Sequence, residues 1–438
     1  MRKGKVQVIS LGCSKNLVDS EHLLRQLQAS GYSIQHNPKR IDAEVVVVNT
    51  CGFIADAQEE SINTILSLGK AKRKGRIGRL YVMGCLAERF MADLEAELPE
   101  VDRFYGKFNW PALLADLGKA YRDDLAGERV LTTPRHYAYL KISEGCNRFC
   151  AFCAIPLITG RHKSIPMQQL LDEVRHLVGQ GVREFNVIAQ DLSSYGIDLE
   201  GRMTLPKLID RMADIPGVDW IRLHYAYPTQ FPYDILPVIV RRDNVCSYLD
   251  IALQHIADPV LSNMRRHITR SETLDLLSRL RSEVPGIHIR TTLMVGFPGE
   301  GEQEFDELMQ FVRDARFERM GAFAYSEEAG TYAAQHLDDT TPPEVKQDRL
   351  DRLMALQEEI SQEIQEQKVG QTLRVIIDRE DDDYYIGRTQ WDSPEVDPEV
   401  LITKDHPLTI GTFCDATITQ ALPFELIAQP SLAQQPSH

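Results

Sequence analysis

No run in the 438 residues approaches the roughly 18 consecutive apolar residues of a membrane span. The opening residues, Met1 to Cys13, put basic side chains ahead of an apolar stretch, but it is only a few residues long and contains Gln7. That is too short and too polar for the core of a secretory signal, so the chain is expected in the cytoplasm. Basic excess is lacking as well. Forty-nine Lys plus Arg stand against 64 Asp plus Glu, a net charge of −15. This excludes a general grip on phosphate backbones, though not a local basic patch. Cysteine is sparse, eight in all, and in a reducing cytosol so few in so long a chain fit metal ligation or catalysis better than a disulfide framework.

What is present is ample apolar material, 43% of residues against 26% charged. Domains usually run to roughly 100 to 200 residues, so two or three are expected. The first, over 1–120, has the βα rhythm of an α/β fold with a parallel sheet. Its clearest strands are Val6 to Leu11, Ala43 to Asn49 and Arg79 to Met83, each followed within two residues by a cysteine. Residues 103–136 lose that rhythm and read as a connector. A second domain, 132–368, offers six strands: Tyr137 to Ile142, Glu184 to Ile188, Asp219 to Tyr225, Tyr248 to Leu253, His288 to Val295 and Arg319 to Tyr325. Helical patterns lie between most of them, one behind a capping box at Thr269 and Glu272. Six βα units in succession predict a partial β/α barrel. Glu344 to Lys368 reads as a connecting helix stopped by Gly370. The β-rich runs over 370–430 predict a small all-β, OB-like barrel. The polar tail, from Gln429 in its composition and over 431–438 as a segment, is expected to be disordered.

A fourth cysteine is missing where it would matter most. Ile142 to Cys153 places Cys146, Cys150 and Cys153 within eight residues, directly after a predicted barrel strand. Three thiolates can hold three corners of an iron-sulfur cubane and leave one iron open, which suits catalysis rather than electron transfer. A zinc knuckle completed by His162 is the alternative, although structural zinc favours paired C-x-x-C spacings. Cys13, Cys51 and Cys85 are far apart in sequence, yet each follows the carboxyl end of a predicted parallel strand, the edge where ligands gather in open α/β sheets. The alternative is three unrelated buried cysteines. Cys246, read as preceding a strand, and Cys414 in the terminal barrel are expected to be packing residues.

The C-x-x-x-C-x-x-C motif after the first barrel strand resembles the radical S-adenosylmethionine superfamily. That resemblance implies that the open iron of a [4Fe-4S] cluster chelates S-adenosylmethionine, and that Phe152, at the aromatic position before the third cysteine, packs near the adenine. Ser10 to Glu21, Asn49 to Ala55 and Gly84-Cys85-Leu-Ala, followed by the radical motif, resemble the methylthiotransferases over nearly the whole chain. The family fold implied is a flavodoxin-like N-terminal domain, a six-unit radical barrel and a C-terminal TRAM barrel. By the same resemblance Cys13, Cys51 and Cys85 hold a second [4Fe-4S] cluster, and S-adenosylmethionine is both methyl donor and radical source. An electron donor such as flavodoxin or ferredoxin is implied too, with a sulfur source that no motif identifies.

Within that family the substrate is an adenosine in tRNA or the β-carbon of an aspartate in ribosomal protein S-twelve. Gly12 to Glu21, Tyr137 to Cys146 and Gly387 to Asp397 resemble the ribosomal-protein branch. Ser14, the Ala-Ile-Pro after Cys153, and Met264 to Arg270 depart from that branch, though none is a proposed ligand. Gly370 to Pro430 carries twelve acidic against four basic residues, net −8, which suits a basic protein better than RNA. A tRNA-modifying enzyme and a non-enzymatic cluster scaffold would share every cysteine, and both stay open. Gln190, Asp191, Thr292, Gly296 and Pro298 lie near barrel strand ends, where position alone fits S-adenosylmethionine contacts, Gln190 and Gly296 first, and mere loop geometry equally well. The glycine-rich Met294 to Gly301 lacks the Lys and Ser or Thr of a phosphate loop.

Overall fold

In a computed structural model the chain is described from Gly4 to Ser431. Its first sheet is formed by β1 (Lys5–Ser10), β2 (Ser33–His36), β3 (Ala43–Thr50), β4 (Ile77–Gly84) and β5 (Arg103–Phe104), all parallel in the order β2-β1-β3-β4-β5. This is the flavodoxin-like order. The unbroken Val45-Val-Val-Val48 run follows from helices covering both faces. Val45 and Val47 enter the core on one side with Leu23, Leu27 and Leu113, while Val46 and Val48 enter the other with Ile65, Leu68 and Leu86. β2, an exposed edge strand that alternates polar and apolar residues, and the two-residue β5 are too short to stand out in composition. β5 and the helix Trp110–Asp116 fall within the expected connector, and the helix seats Leu113 and Leu114 on the first sheet.

All six expected strands of the second region form. After β6 (Tyr137–Lys141), the two-residue β7 (Ser143–Glu144) pairs with β8 (Lys163–Ser164). Then come β9 (Glu184–Ile188), β10 (Trp220–Ala226), β11 (Val245–Ile251), β12 (His288–Val295) and β13 (Arg319–Ala324). The six long strands lie parallel in chain order, β13-β12-β11-β10-β9-β6, as successive right-handed crossovers require. β11 starts three residues before the expected point, so Cys246 lies inside the strand rather than ahead of it, packed with Trp220, Tyr248 and Ile376. The capping box forms as expected, with Thr269 Oγ1 taking the Glu272 amide. The helix Pro343–Glu366 adds Leu353 and Ile360 to the barrel core.

The terminal region is a closed five-stranded barrel: β14 (Thr372–Glu380), β15 (Tyr384–Thr389), β16 (Glu399–Thr403), β17 (Phe413–Leu422) and β18 (Glu425–Pro430). Composition showed four of these. The fifth, β18, corrects the expectation that disorder begins at Gln429, since Gln429 and Pro430 pair with Thr417 and Ala416. A proline is tolerated at a strand end, where its missing amide costs no ladder bond. The rest of the expected disordered tail, 432–438, lies outside the described residues. Among the described residues no helix is long and apolar enough to cross a membrane.

Buried ion pairs fasten the three regions together. Glu184, at the start of β9, receives Arg388 of the terminal barrel at 2.7 Å and Arg222 of β10 at 3.2 Å, all three being almost wholly buried. Arg319 pairs with Asp392 across the same seam. Toward the first sheet, Arg129 joins Glu21 at 3.0 Å and Glu173 at 3.1 Å.

Candidate functional site

The β7/β8 hairpin pinches shut the base of a loop that begins at Gly145 and carries Cys146, Cys150 and Cys153. Gly145 has φ +80°, and a Cβ there would be driven into the carbonyl oxygen of Arg161. Gly145→Ala is therefore expected to cost about 1–3 kcal/mol of local stability and to reduce iron uptake on anaerobic reconstitution; undiminished uptake would show that the loop tolerates the side chain. The loop is tied down by backbone bonds: the Cys146 amide to Gly160 O (3.2 Å), the Ala151 amide to Met264 O (2.9 Å) and the Ala333 amide to Ala151 O (2.7 Å).

The second trio occupies three adjacent strand ends, β1, β3 and β4 being neighbours in the sheet. Cys13 caps the helix Ser14–Ala29, Cys51 directly follows β3, and Cys85 opens the helix Cys85–Glu97. Helix N-termini favour thiolates, which suits the first and third. Gly12 is what lets the loops close up, for a Cβ at that residue would lie 2.6 Å from the Cys51 Cβ. The two trios are neighbours: Cys85 packs on Ala154 and Ile158, in the segment that follows Cys153.

All six thiols are free. Burial pushes Cys85 and Cys146 up to about 12 and raises Cys51 and Cys153, so these groups stay protonated until a metal displaces the proton. Among the described residues no three His, Cys, Asp or Glu side chains converge tightly enough to hold one ion, and His162 joins no such group; its Nε2 meets Ser164 Oγ at 3.1 Å. A cubane asks for a different arrangement, each thiolate taking a different corner, and both trios fit it chemically: three sulfurs apiece at the strand ends of a sheet, all but the exposed Cys13 buried or half-buried.

Between the trios lies a buried charge network that sequence patterns did not reveal. Lys107 Nζ lies 3.0 Å from Glu144 and 3.7 Å from Asp19, and Lys141 binds both acids. Burial alone would raise the Glu144 carboxyl, but Lys141 and Lys107 outweigh it and hold the group down at about 2. Gln190 donates to Glu144, and its own Oε1 is buried without a hydrogen-bond partner.

The other candidates divide. Phe152 meets Phe297 edge-on (centroids 6.1 Å apart), and Phe297 meets Tyr325 (4.9 Å), an apolar wall beside the cysteine loop. Gly296 has φ +70° with the Lys346 side chain against its α-carbon, and its amide goes to Glu300 at 2.9 Å. Asp191 clamps the loop, accepting Arg148 Nε at 2.7 Å and the Ser193 amide at 2.9 Å. Thr292 and Pro298 offer their carbonyls to Gln254 and Asn263. Two residues that sequence reasoning missed touch the cysteine loop itself: Tyr227 Oη lies 3.4 Å and Arg266 Nη1 3.3 Å from Cys150 Sγ. Arg266 sits in the Met264 to Arg270 stretch already singled out by its unusual charge, the only signal available for it.

Beside Cys13, a cleft of about 210 Å³ is lined from all three regions: Ser14 and Asn37 of the first, Tyr139 of β6, and Glu395 of the terminal barrel. Tyr137 and Tyr139 donate to the Glu395 carboxylate at 3.2 and 3.3 Å. Cys414, by contrast, packs against the core of the terminal barrel.

Comparison with known proteins agrees with this layout. Residues 5–106 match an uncharacterized protein family, UPF0004, residues 140–312 the Radical SAM superfamily and residues 369–430 the TRAM domain. Among solved structures, the radical S-adenosylmethionine methyltransferase TsrM of Kitasatospora setae, with cobalamin and a [4Fe-4S] cluster bound, aligns with TM-score 0.53 at 13% identity, covering 74% of this chain and 75% of that one. The cobalamin-dependent S-adenosylmethionine radical enzyme OxsB aligns at 0.52 and 13%, covering 81% of this chain and 56% of that one. At such identities the likeness concerns the fold. Curated relatives are far nearer. The ribosomal protein uS12 methylthiotransferases of Parabacteroides distasonis and Porphyromonas gingivalis are 66% and 60% identical over 97% and 98% of this chain, each match covering 99% of the relative. That of Cytophaga hutchinsonii is 48% identical over 98% of both chains. With this identity running end to end through all three regions, the chain belongs to the ribosomal protein uS12 methylthiotransferase family.

Proposed function

We propose that this enzyme adds a methylthio group to the β-carbon of an aspartate in ribosomal protein uS12, the S-twelve protein of the small subunit. The observation that carries the reading is that two cysteine trios lie on neighbouring loops at the carboxyl edges of two parallel sheets, Cys85 packing against Ala154 and Ile158 just after Cys153. Cys146, Cys150 and Cys153 would hold one [4Fe-4S] cluster, and Cys13, Cys51 and Cys85 a second. When bound, one cluster would pass on the electron that splits S-adenosylmethionine and the other would carry the sulfur to be inserted, while S-adenosylmethionine would supply the methyl group and the hydrogen-abstracting radical.

The chain's own residues prepare that chemistry. Phe152, Phe297 and Tyr325 offer an apolar wall for an adenine, and the unpartnered Gln190 Oε1 a buried acceptor for a polar group of the cofactor. Glu395 brings a carboxylate to the cleft at Cys13, where it favours a substrate segment carrying basic residues. The net −8 of the terminal barrel points the same way. The relatives, named for a ribosomal protein, do not favour the tRNA reading. A small electron carrier such as flavodoxin or ferredoxin would deliver the electron, in the cytoplasm where the ribosomal protein is made.

In cells lacking this gene, mass spectrometry is expected to find uS12 lighter by about 46 Da, a CH3S group replaced by H. An unchanged mass, or loss of methylthio-adenosine from tRNA instead, would overturn the reading.

A further inference from the structure

Arg266 is 3% exposed and makes no ion pair with a carboxylate among the described residues. Its neighbour Arg148, by contrast, is neutralised by Asp191 at 2.7 Å. The Arg266 guanidinium donates to the Ala252 carbonyl and, at 3.3 Å, to Cys150 Sγ, while its Nε is buried with no partner at all. The ionisable groups that act most strongly on it are Cys150, Tyr227 and Cys153, and no carboxylate is among them. A guanidinium does not shed its proton, so burying one without an anion is costly.

The backbone is strained to put it there. Arg265 and His267, on either side, both adopt left-handed conformations, φ 56° and 52°, a cost that bulky residues bear where the surrounding structure demands it. Tyr227 completes the arrangement: its ring lies between the guanidinium of Arg266 (4.2 Å to the centroid) and that of Arg148 (4.3 Å), and its hydroxyl reaches both Cys150 Sγ (3.4 Å) and the Arg266 carbonyl (3.2 Å).

We propose that Arg266, assisted by Tyr227, is the counter-charge of the cluster at Cys146, Cys150 and Cys153 and raises that cluster's reduction potential. A [4Fe-4S] unit in its resting state on three thiolates carries one net negative charge and takes a second on reduction, so a fixed cation and a hydroxyl donor at a ligand sulfur favour the reduced form. Arg266 is thus a positioning residue for the electron and not one that touches substrate. The inference rests on the assignment of that cluster to these three cysteines.

The test is a potentiometric titration of the full-length holoenzyme, followed by electron paramagnetic resonance, with S-adenosylmethionine identifying which signal belongs to the cofactor-binding cluster. Arg266→Gln is expected to lower the midpoint of that cluster and leave the other unmoved. Arg266→Lys, which keeps the charge, should restore most of the difference, and Tyr227→Phe should give a smaller fall of the same sign. Iron per chain is measured first; if Arg266→Gln fails to load, the contrast between Tyr227→Phe and Arg266→Lys decides in its place. Unshifted midpoints, or equal shifts in both clusters, overturn the role given to Arg266. Cys150→Ala separates the two layers: if it retains the signal that responds to S-adenosylmethionine, the cluster assignment itself is wrong.

Discussion

Cys150→Ala protein is expected to hold about four irons per chain in place of about eight, and to release no 5′-deoxyadenosine when reduced with S-adenosylmethionine. Cys85→Ala should lose the same amount of iron yet still release deoxyadenosine, with no methylthio product on uS12. The physical basis is that the trios sit on separate sheets: Cys150 lies in the loop after β6 and β7, where the adjoining Ala151 is tied by Met264 and Ala333, whereas Cys85 starts a helix after β4. Removing a ligand from one leaves the backbone of the other in place. Deoxyadenosine released by Cys150→Ala, or methylthio product formed by Cys85→Ala, would refute the division of labour. Equal loss of both activities in both variants would show that the sites do not form independently.

Glu184→Ala is expected to cost about 3–5 kcal/mol, the range for breaking a buried pair by removing one partner. Burial alone would raise the Glu184 carboxyl, yet Arg388 and Arg222 hold it below the usual range, so it enters the fold ionised. Its loss leaves the guanidinium of Arg222, wholly buried, with the carbonyls of Thr389 and Gln390 and no acid, while Arg388 keeps Asp378 at 2.6 Å. The terminal barrel should loosen first, because Arg388 is one of its anchors on the strand bottoms of the larger sheet. Thermal unfolding would report the loss, and limited proteolysis near Lys368 to Gln371 its location. A change below about 1 kcal/mol, the scale of exposed pairs, would mean that hydrophobic contact alone docks the barrel.

Much of this is legible in the sequence alone, and the residues show why. Valine-rich runs such as Val45 to Val48 announce strands buried on both faces, and the cysteines stand at the ends of such runs. The six long strands of the larger sheet could be counted because each alternates with a helical stretch. The shortest features escaped, β2, β5 and the β7/β8 hairpin, and so did the six-residue β18, which is defined by its pairing with β16 and β17. The Lys107, Asp19, Lys141 and Glu144 network was invisible for the same reason, its members being brought together from both sides of a seam. Gly296 was chosen for its place at a strand end, and its left-handed turn is matched to the Lys346 stem and Glu300. Arg266 could be seen as an odd charge, but not as an unpaired one.

The seam between the first sheet and the barrel has a further consequence. Cys85 touches Ala154 and Ile158, Lys107 bridges to Glu144, and Arg129 bridges Glu21 to Glu173. With apolar contact and buried charge on the same seam, neither half can swing away without exposing both. The two halves are therefore built like a fixed vice and not like a hinge, and on the proposed function it is the substrate segment, reaching the cleft at Cys13 and Glu395, that would do the travelling.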